Sequence, residues 1–375
     1  MRFTLSSSLL SSKLTSLSKV ISSKNSLSIL GSFLFEIKDG QLTLTASDSD
    51  NMLRYVLELT NCDGEGSFCV PNKIMLSAVK ELADQPVTFE VDTNDNSIRM
   101  VYQNGSYRIT GQSADEYPVL STISGPCTEA KLTAASLSQN IQRSLFAVST
   151  DNIHMVMNGI YFDLREECLN VVASDGCKLV RNMLFTCNTE LPASFILPQK
   201  PASLLRTVLS PEDESTVTLR FNEKNAEFVL PDGILTCLLI EGKFPNYKNV
   251  IPTDNPNVIT IDRKSLISAL KRILPFSNEN TELVKLRLSQ SNMEVLAEDA
   301  DFATYAQEDI MCDYNGTPMT IGFKGTTLTD ILNNLTGEDV VIELGDPSRA
   351  GVIRPCVQPE KEDVLMLIMP MLIND

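Results

Sequence analysis

Ala46-Ser47-Asp48 returns as Ala173-Ser174-Asp175 and again as Ala297-Glu298-Asp299. Tyr117-Pro118 returns as Phe244-Pro245 and as Met369-Pro370. Successive aspartates lie 127 and 124 residues apart and successive prolines 127 and 125, so two independent markers share one period. That period is far longer than the roughly 20–50 residues of a solenoid unit and has the size of a domain. The 375-residue chain therefore reads as one fold used three times, with boundaries at 1–125, 126–253 and 254–375. Such a chain is expected to work as a shaped surface rather than as one catalytic pocket.

Each copy opens with an amphipathic helical pattern: Leu10, Leu14, Leu17 and Ile21; Leu137, Ile141, Leu145 and Val148; Leu266, Leu270 and Leu274, the last entered from Asp262 as N-cap. Strand-like segments follow over 40–45, 167–172 and 291–296, then a second helix over 71–82, 198–209 and 322–335. Strand patterns resume at Val87–Val91, Val217–Phe221 and Val340–Leu344. Asn104-Gly105 and Asp232-Gly233 are hairpin signals, which favour antiparallel sheets. The class is α+β, two helices packed on antiparallel sheets in each copy, with linkers near 122–128 and 252–257.

The net charge is −17, from 48 acids against 31 bases. Its distribution matters more than its sum. The six helical windows hold Lys13, Lys19, Lys24, Lys73, Lys80, Arg143, Lys200, Arg206, Arg263, Lys264, Lys271, Arg272 and Lys324 against only Glu81, Asp262 and Asp330. A shared basic lining inside an acidic body would attract a phosphate backbone without reading sequence. Aromatic residues do not interleave these bases and there is no Trp, so duplex DNA fits better than a single-strand stacking platform. The nine cysteines form no CxxC and their number is odd, which suggests free thiols in a reducing, cytoplasmic compartment. The 43% hydrophobic content suffices for three cores, and no apolar run is long enough to span a bilayer.

Three tandem copies with two such helices each resemble the bacterial DNA polymerase III β subunits, the sliding clamps. The likeness runs over essentially the whole chain. It is carried by Ser26-Leu27-Ser28-Ile29-Leu30-Gly31, Asn158-Gly159, Ala173-Ser174-Asp175-Gly176-Cys177-Lys178-Leu179, Gly242-Lys243-Phe244-Pro245-Asn246-Tyr247, Ser277-Asn278-Glu279 and Met369-Pro370-Met371-Leu372. The resemblance implies a non-enzymatic processivity factor: half of a six-domain ring, closed around duplex DNA by a head-to-tail homodimer. It places the contacts between copies at Arg108 and Ile109 and at Ile273, Leu274 and Phe276. Lys24 and the basic helix residues above would face the DNA.

The family also implies a groove that takes short peptides from the replicative polymerase and other polymerases, the clamp loader complex and repair proteins. Mapped residue by residue, it would use Met157, Ser174, Gly176, Cys177, Lys178, Leu179, Pro245, Asn249, Val250, Thr281, Ala350, Leu367, Met369, Pro370, Met371 and Leu372. Adaptable methionines suit a pocket with several partners, and Gly176 would let a backbone approach closely. Pro370 cannot donate to a sheet ladder, so the last strand should end there. Cys177, Lys178, Asn249, Thr281 and Leu372 depart from the common family pattern, which carries His, Arg, basic, aromatic and Arg groups at those places.

Other functions fit less well. With His154 the single histidine, His-based triads and multi-His metal sites are excluded. No phosphate-binding glycine motif follows a strand. Asp48, Asp50, Glu298, Asp299 and Asp301 read as turn caps rather than metal ligands. No cofactor is expected. The alternative to a clamp is a protein-binding scaffold of repeated domains, which predicts no retention on closed circular DNA.

Overall fold

The structure, a computed structural model, describes residues 1–373 apart from Ser23, Asn25, Ser26, Thr60, Asn152, Asn188 and Glu190. Ser26, which begins one of the family-like motifs, therefore lies outside the described residues, as do Asn374 and Asp375. The chain divides into two compact units, Met1–Ser138 with Lys200–Leu239 and Gln139–Gln199 with Ile240–Asp375.

Six helices are described: α1 (Ser7–Ser18), α2 (Asn72–Lys80), α3 (Ala134–Leu145), α4 (Gln199–Val208), α5 (Arg263–Ile273) and α6 (Gly325–Asn334). The opening helix of each copy starts on a side-chain cap that takes an orphan amide. Ser6 accepts from the Leu9 amide, the Thr133 hydroxyl from Ser136 at 3.1 Å, and Asp262 from Ser265 at 2.7 Å. The first helix is shorter than its apolar spacing suggests. It stops at Ser18, where the Lys19 amide turns back to the carbonyls of Ser16 and Leu17 and the Ser18 hydroxyl caps Thr15. Ile21 thus falls outside it. The fifth ends because Pro275 follows, in a 3-10 turn over Leu274–Phe276.

The first unit holds a five-stranded and an eight-stranded sheet, and the second a nine-stranded and a four-stranded sheet, with antiparallel pairing throughout. Residues 126–253 contribute to both units because four of their strands lie in the eight-stranded sheet and four in the nine-stranded one. At one junction Asn51–Glu58 pairs with Gly233–Leu238, Leu53 opposite Leu235. At the other, Lys178–Leu184 pairs with Glu362–Ile368, Val180 opposite Met366. Among the eight strands that end these four sheets are Gly105–Thr110 in the first unit and Thr304–Met311 in the second.

In the first unit Phe3, Phe35, Phe68 and Phe89 are buried as a group, Phe3 stacked on Phe89 with centroids 4.9 Å apart and Phe35 on Phe68 at 5.1 Å. Leu10, Leu14 and Leu17 give α1 a fully buried stripe. Both sequence markers have local physical causes. Asp48, Asp175 and Asp299 each cap a turn after a strand: Asp48 Oδ1 accepts the Asn51 amide (2.8 Å), Asp175 Oδ1 that of Lys178 (2.9 Å) and Asp299 Oδ1 that of Asp301 (2.9 Å). Tyr117, from the second marker, is buried against Leu30, Leu34 and Cys69, and its phenolic oxygen accepts the Ser47 amide at 3.0 Å. The nine cysteines are free, and burial pushes the thiols of Cys69 and Cys237 up to about 12. No helix among the described residues is long and apolar enough to cross a membrane.

A candidate peptide groove and the basic side chains

Sequence reasoning put sixteen residues around one groove, and the second unit gathers nine of them. Met157, Ser174, Gly176, Lys178, Leu179, Pro245, Val250, Leu367 and Met369 line a cavity of about 260 Å3, together with Phe244, Asn246 and Tyr247. Its floor belongs to the core: Leu179 and Leu367 face each other across the paired strands and are buried with Val172, Ile196, Phe244, Tyr247 and Val352. The strand Glu362–Ile368 ends just before Met369, which leaves that side chain 42% exposed at the rim. Asn249, Ala350 and again Val250 and Met369 line an adjoining cavity of about 440 Å3, with Ser348 and Arg349. The Arg349 guanidinium pairs there with Asp254 at 2.7 Å and holds that carboxyl below its ordinary range.

One wall is fixed from beneath. Tyr161 stacks on Phe244 with centroids 4.8 Å apart and meets Tyr247 edge-on at 6.3 Å. The Tyr247 hydroxyl donates to Asp163 Oδ2 at 2.9 Å, and Arg165 Nη2 pairs with Asp163 Oδ1 at 2.7 Å. Asp163 is 1% exposed, so both contacts are to a buried carboxylate. Burial first, and then the Asp163 charge, drive the Tyr247 phenol well up, so it stays a donor. Tyr247, Asn246 and Phe244 belong to a quoted motif but were not among the predicted site residues. The aromatic-rich run Phe244–Tyr247 was the available signal.

Five predicted groove residues line neither cavity. Cys177 sits on the exposed turn and contributes its backbone carbonyl, which accepts the Met369 amide at 2.8 Å. Thr281 is exposed on a loop capped by Asn278. Pro370, Met371 and Leu372 follow the end of the strand. The Met371 amide donates to the Gly322 carbonyl at 2.8 Å, and Leu372 is 86% exposed. Gly176 is exposed on the same turn. Nothing lies within 4 Å of where its Cβ would be, but its φ of +90° requires glycine. The close backbone approach occurs at Gly322, whose Cβ would meet the Met371 carbonyl oxygen at 3.1 Å. The Lys178 ammonium is neutralised by Asp175 at 2.5 Å, so the cavity wall is apolar rather than cationic.

The thirteen basic residues divide into two sets. Lys13 pairs with Asp232 and lies 4.6 Å over the Tyr55 ring; Lys200 pairs with Asp48. Arg143 is buried and pairs with Glu362. Arg263 donates to the carbonyls of Gly337 and Leu332, Arg272 pairs with Glu308, and Lys324 with Glu282 at 3.1 Å. Arg143 is therefore a structural cation with no surface to offer. Lys19, Lys24, Lys73, Lys80, Arg206, Lys264 and Lys271 are exposed and carry no ion pair among the described residues. Of the predicted contacts between copies, Arg108 and Phe276 are exposed, Leu274 is half-buried, and Ile109 and Ile273 are buried. Among the described residues, no cluster of three His, Cys, Asp or Glu side chains could hold a metal ion.

Three successive stretches match one family: DNA polymerase III beta subunit, N-terminal domain over residues 1–121, central domain over 131–246 and C-terminal domain over 248–372. The beta sliding clamp of Haemophilus influenzae is 28% identical over 376 residues, covering 98% of this chain and 99% of its own length. The crystal structure of a sliding clamp from Bartonella birtlesii bound to griselimycin is 25% identical with a TM-score of 0.90, each chain covered in full. The DNA polymerase III beta subunit of Thermotoga maritima gives the same identity, TM-score and coverage. Three adjoining matches, in the order of the repeat markers, make the fold three tandem clamp domains; this chain belongs to the DNA polymerase III beta subunit family, the beta sliding clamps, which are processivity factors of DNA replication and not enzymes.

Proposed function

We propose that two copies of this clamp close head to tail around duplex DNA and tether their partners through the groove at Met369. The observation that carries the reading is the pair of open sheet edges. The repeat equates their residues with those that join the sheets internally. Ala46, Ala173 and Ala297 face Leu53, Val180 and Ala306, so Ala306 takes the place of Leu53 and Val180. Phe89, Leu219 and Ile342 lead through Met100, Phe228 and Ile353 to Tyr107, Leu235 and Met366. Leu53 faces Leu235 and Val180 faces Met366, so Ala306 should face the partner subunit's Tyr107, and Tyr305 the partner subunit's Arg108. A heterologous contact of this kind pairs both of these edges once the ring shuts.

The three copies divide near 1–125, 126–253 and 254–375. The seven unpaired bases are the phosphate-facing set, and binding through them is independent of sequence. Each phosphate they neutralise adds about −0.9 to the log–log salt slope. The apolar cavity takes Leu, Phe or Met anchors from the polymerase, the clamp loader and repair proteins, in the cytoplasm where replication proceeds. Griselimycin, bound by the Bartonella birtlesii relative, is a ready competitor for that cavity.

The test uses a clamp loader, ATP and a nicked circle. The clamp should be retained on the circle and lost when the circle is cut. In a chain carrying Arg108→Cys and Tyr305→Cys, oxidation should join two copies covalently and hold them on the circle through denaturant. A particle of one chain at micromolar concentration, or retention unaffected by cutting, rejects the ring in favour of a scaffold.

A further inference from the structure

Asp175 divides two tasks between its carboxylate oxygens. Oδ1 caps the turn, accepting the amides of Cys177 and Lys178 at 2.9 Å each. Oδ2 accepts from the Lys178 ammonium at 2.5 Å. The pair is largely withdrawn from water, with side-chain exposures of 24% for Asp175 and 15% for Lys178. Asp330 on α6 lies within reach of the same ammonium. Burial pushes its carboxyl up, and the Lys178 charge draws it back down. Lys178 therefore lines the cavity with its stem while its charge faces acids of its own chain.

Among the described residues lining that cavity, Lys178 alone carries a charge. In the adjoining cavity the charged side chains are Asp254 and Arg349, which pair with each other at 2.7 Å. Lys243 and Lys248 flank the run Phe244–Tyr247 and are exposed, but they line neither cavity. An arriving chain meets apolar surface instead: Val250 is 54% exposed and Met369 42%. Covering such surface is favourable whatever the charge beside it.

We infer, on the reading of this cavity as a peptide groove, that Asp175 is the positioning residue that decides what the groove selects: by holding Lys178 it makes the groove blind to charge, so that partner peptides are chosen by their apolar anchors and acidic or uncharged flanks are accepted alike. Neither member of the pair can be removed without creating a preference. Asp175→Asn keeps an oxygen for the two turn amides, sets an NH2 group against the ammonium and frees Lys178 to meet an acid. Lys178→Gln leaves the Asp175 carboxylate unpaired at the wall, where it repels one.

Two labelled peptides with the same Leu-Phe anchor, flanked on both sides by Asp in one and by Asn in the other, test this by fluorescence polarisation with the full chain. The readout is the ratio of the two affinities, which cancels any general change in groove shape. Wild type should bind both within about twofold. Asp175→Asn should favour the Asp peptide, and Lys178→Gln the Asn peptide, each by about two- to fivefold, the range of an exposed pair. Both preferences should fade at about 1 M salt, where the screening length is about 3 Å. The double variant should return to equal binding. A wild-type preference beyond twofold for either peptide, or a Lys178→Gln ratio equal to that of wild type, overturns the inference, even where Asp175→Asn fails to fold. An Asp175→Asn chain that folds and still binds both peptides alike overturns it too. A wild-type chain that binds neither peptide removes the groove reading itself.

Discussion

Replacing Tyr247 by Phe deletes one oxygen from the groove wall and leaves its shape. The ring contacts to Tyr161 survive, since stacking and edge packing do not use the hydroxyl. What is lost is the 2.9 Å hydrogen bond to Asp163 Oδ2, an acceptor on a carboxylate that is 1% exposed. A hydrogen bond to a charged group is worth about 1.5–3 kcal/mol, and Arg165 remains on the other oxygen, so about 2 kcal/mol is expected. That loss falls on the 3-10 turn Tyr247–Val250, two of whose residues line the cavity. If the freed turn adopts a second arrangement, peptide affinity falls by the fraction of time spent there, with a ceiling of about thirtyfold for about 2 kcal/mol. Urea unfolding followed by circular dichroism reads the stability of the second unit. Fluorescence polarisation with a labelled clamp-binding peptide reads the groove. An unfolding midpoint and a peptide affinity both equal to wild type would refute the claim that this buried carboxylate holds the wall.

Three further outcomes follow from the same geometry. Arg143→Ala strands the Glu362 carboxylate in a nearly dry site and should destabilise the second unit by about 3–5 kcal/mol in urea, while the salt slope of DNA retention stays as in wild type. Tyr55, pushed up to about 12 chiefly by burial, binds its proton more tightly folded than unfolded. Its contribution is therefore intact below pH 10 and is lost as pH rises from 10 toward 12, a fall of roughly 2–3 kcal/mol that Tyr55→Phe should abolish in alkaline unfolding curves. Deleting residues 369–375 removes the Met369 rim and should abolish peptide binding while leaving the two-chain particle intact in sedimentation; retained peptide affinity would take the groove away from that site.

Much of the fold was legible because its causes are local. The Asp48, Asp175 and Asp299 turns each close on amides two or three residues ahead, so the marker and its geometry repeat together. Asp262 could be read as a cap because its partner amide is three residues away. The end of α1 was harder to place, since serine hydroxyls that turn back on the helix leave no apolar signature. Which of the basic side chains are already paired within the chain was not legible, for a non-local reason. Lys13 meets an acid 219 residues on, and so does Arg143, and no window of sequence shows such a partner. In the groove, Leu179, Leu367 and Met369 were identifiable from the motif order, whereas Cys177 and Thr281, placed there by the family resemblance, are exposed and line neither cavity. The Asp163–Tyr247 bond spans 84 residues, and only the folded chain reveals it.

The strand Glu362–Ile368 has Lys178–Leu184 along one side and Gly351–Pro355 along the other. A fragment beginning at residue 254, the natural choice for crystallography or inhibitor screening, would lose the first of these neighbours and bare a long apolar border beside Met369. Such a border recruits whatever extended chain is nearby. Excised pieces should therefore clump, or bind peptides by strand addition at the wound, and hits obtained against them would report an artefact of cutting.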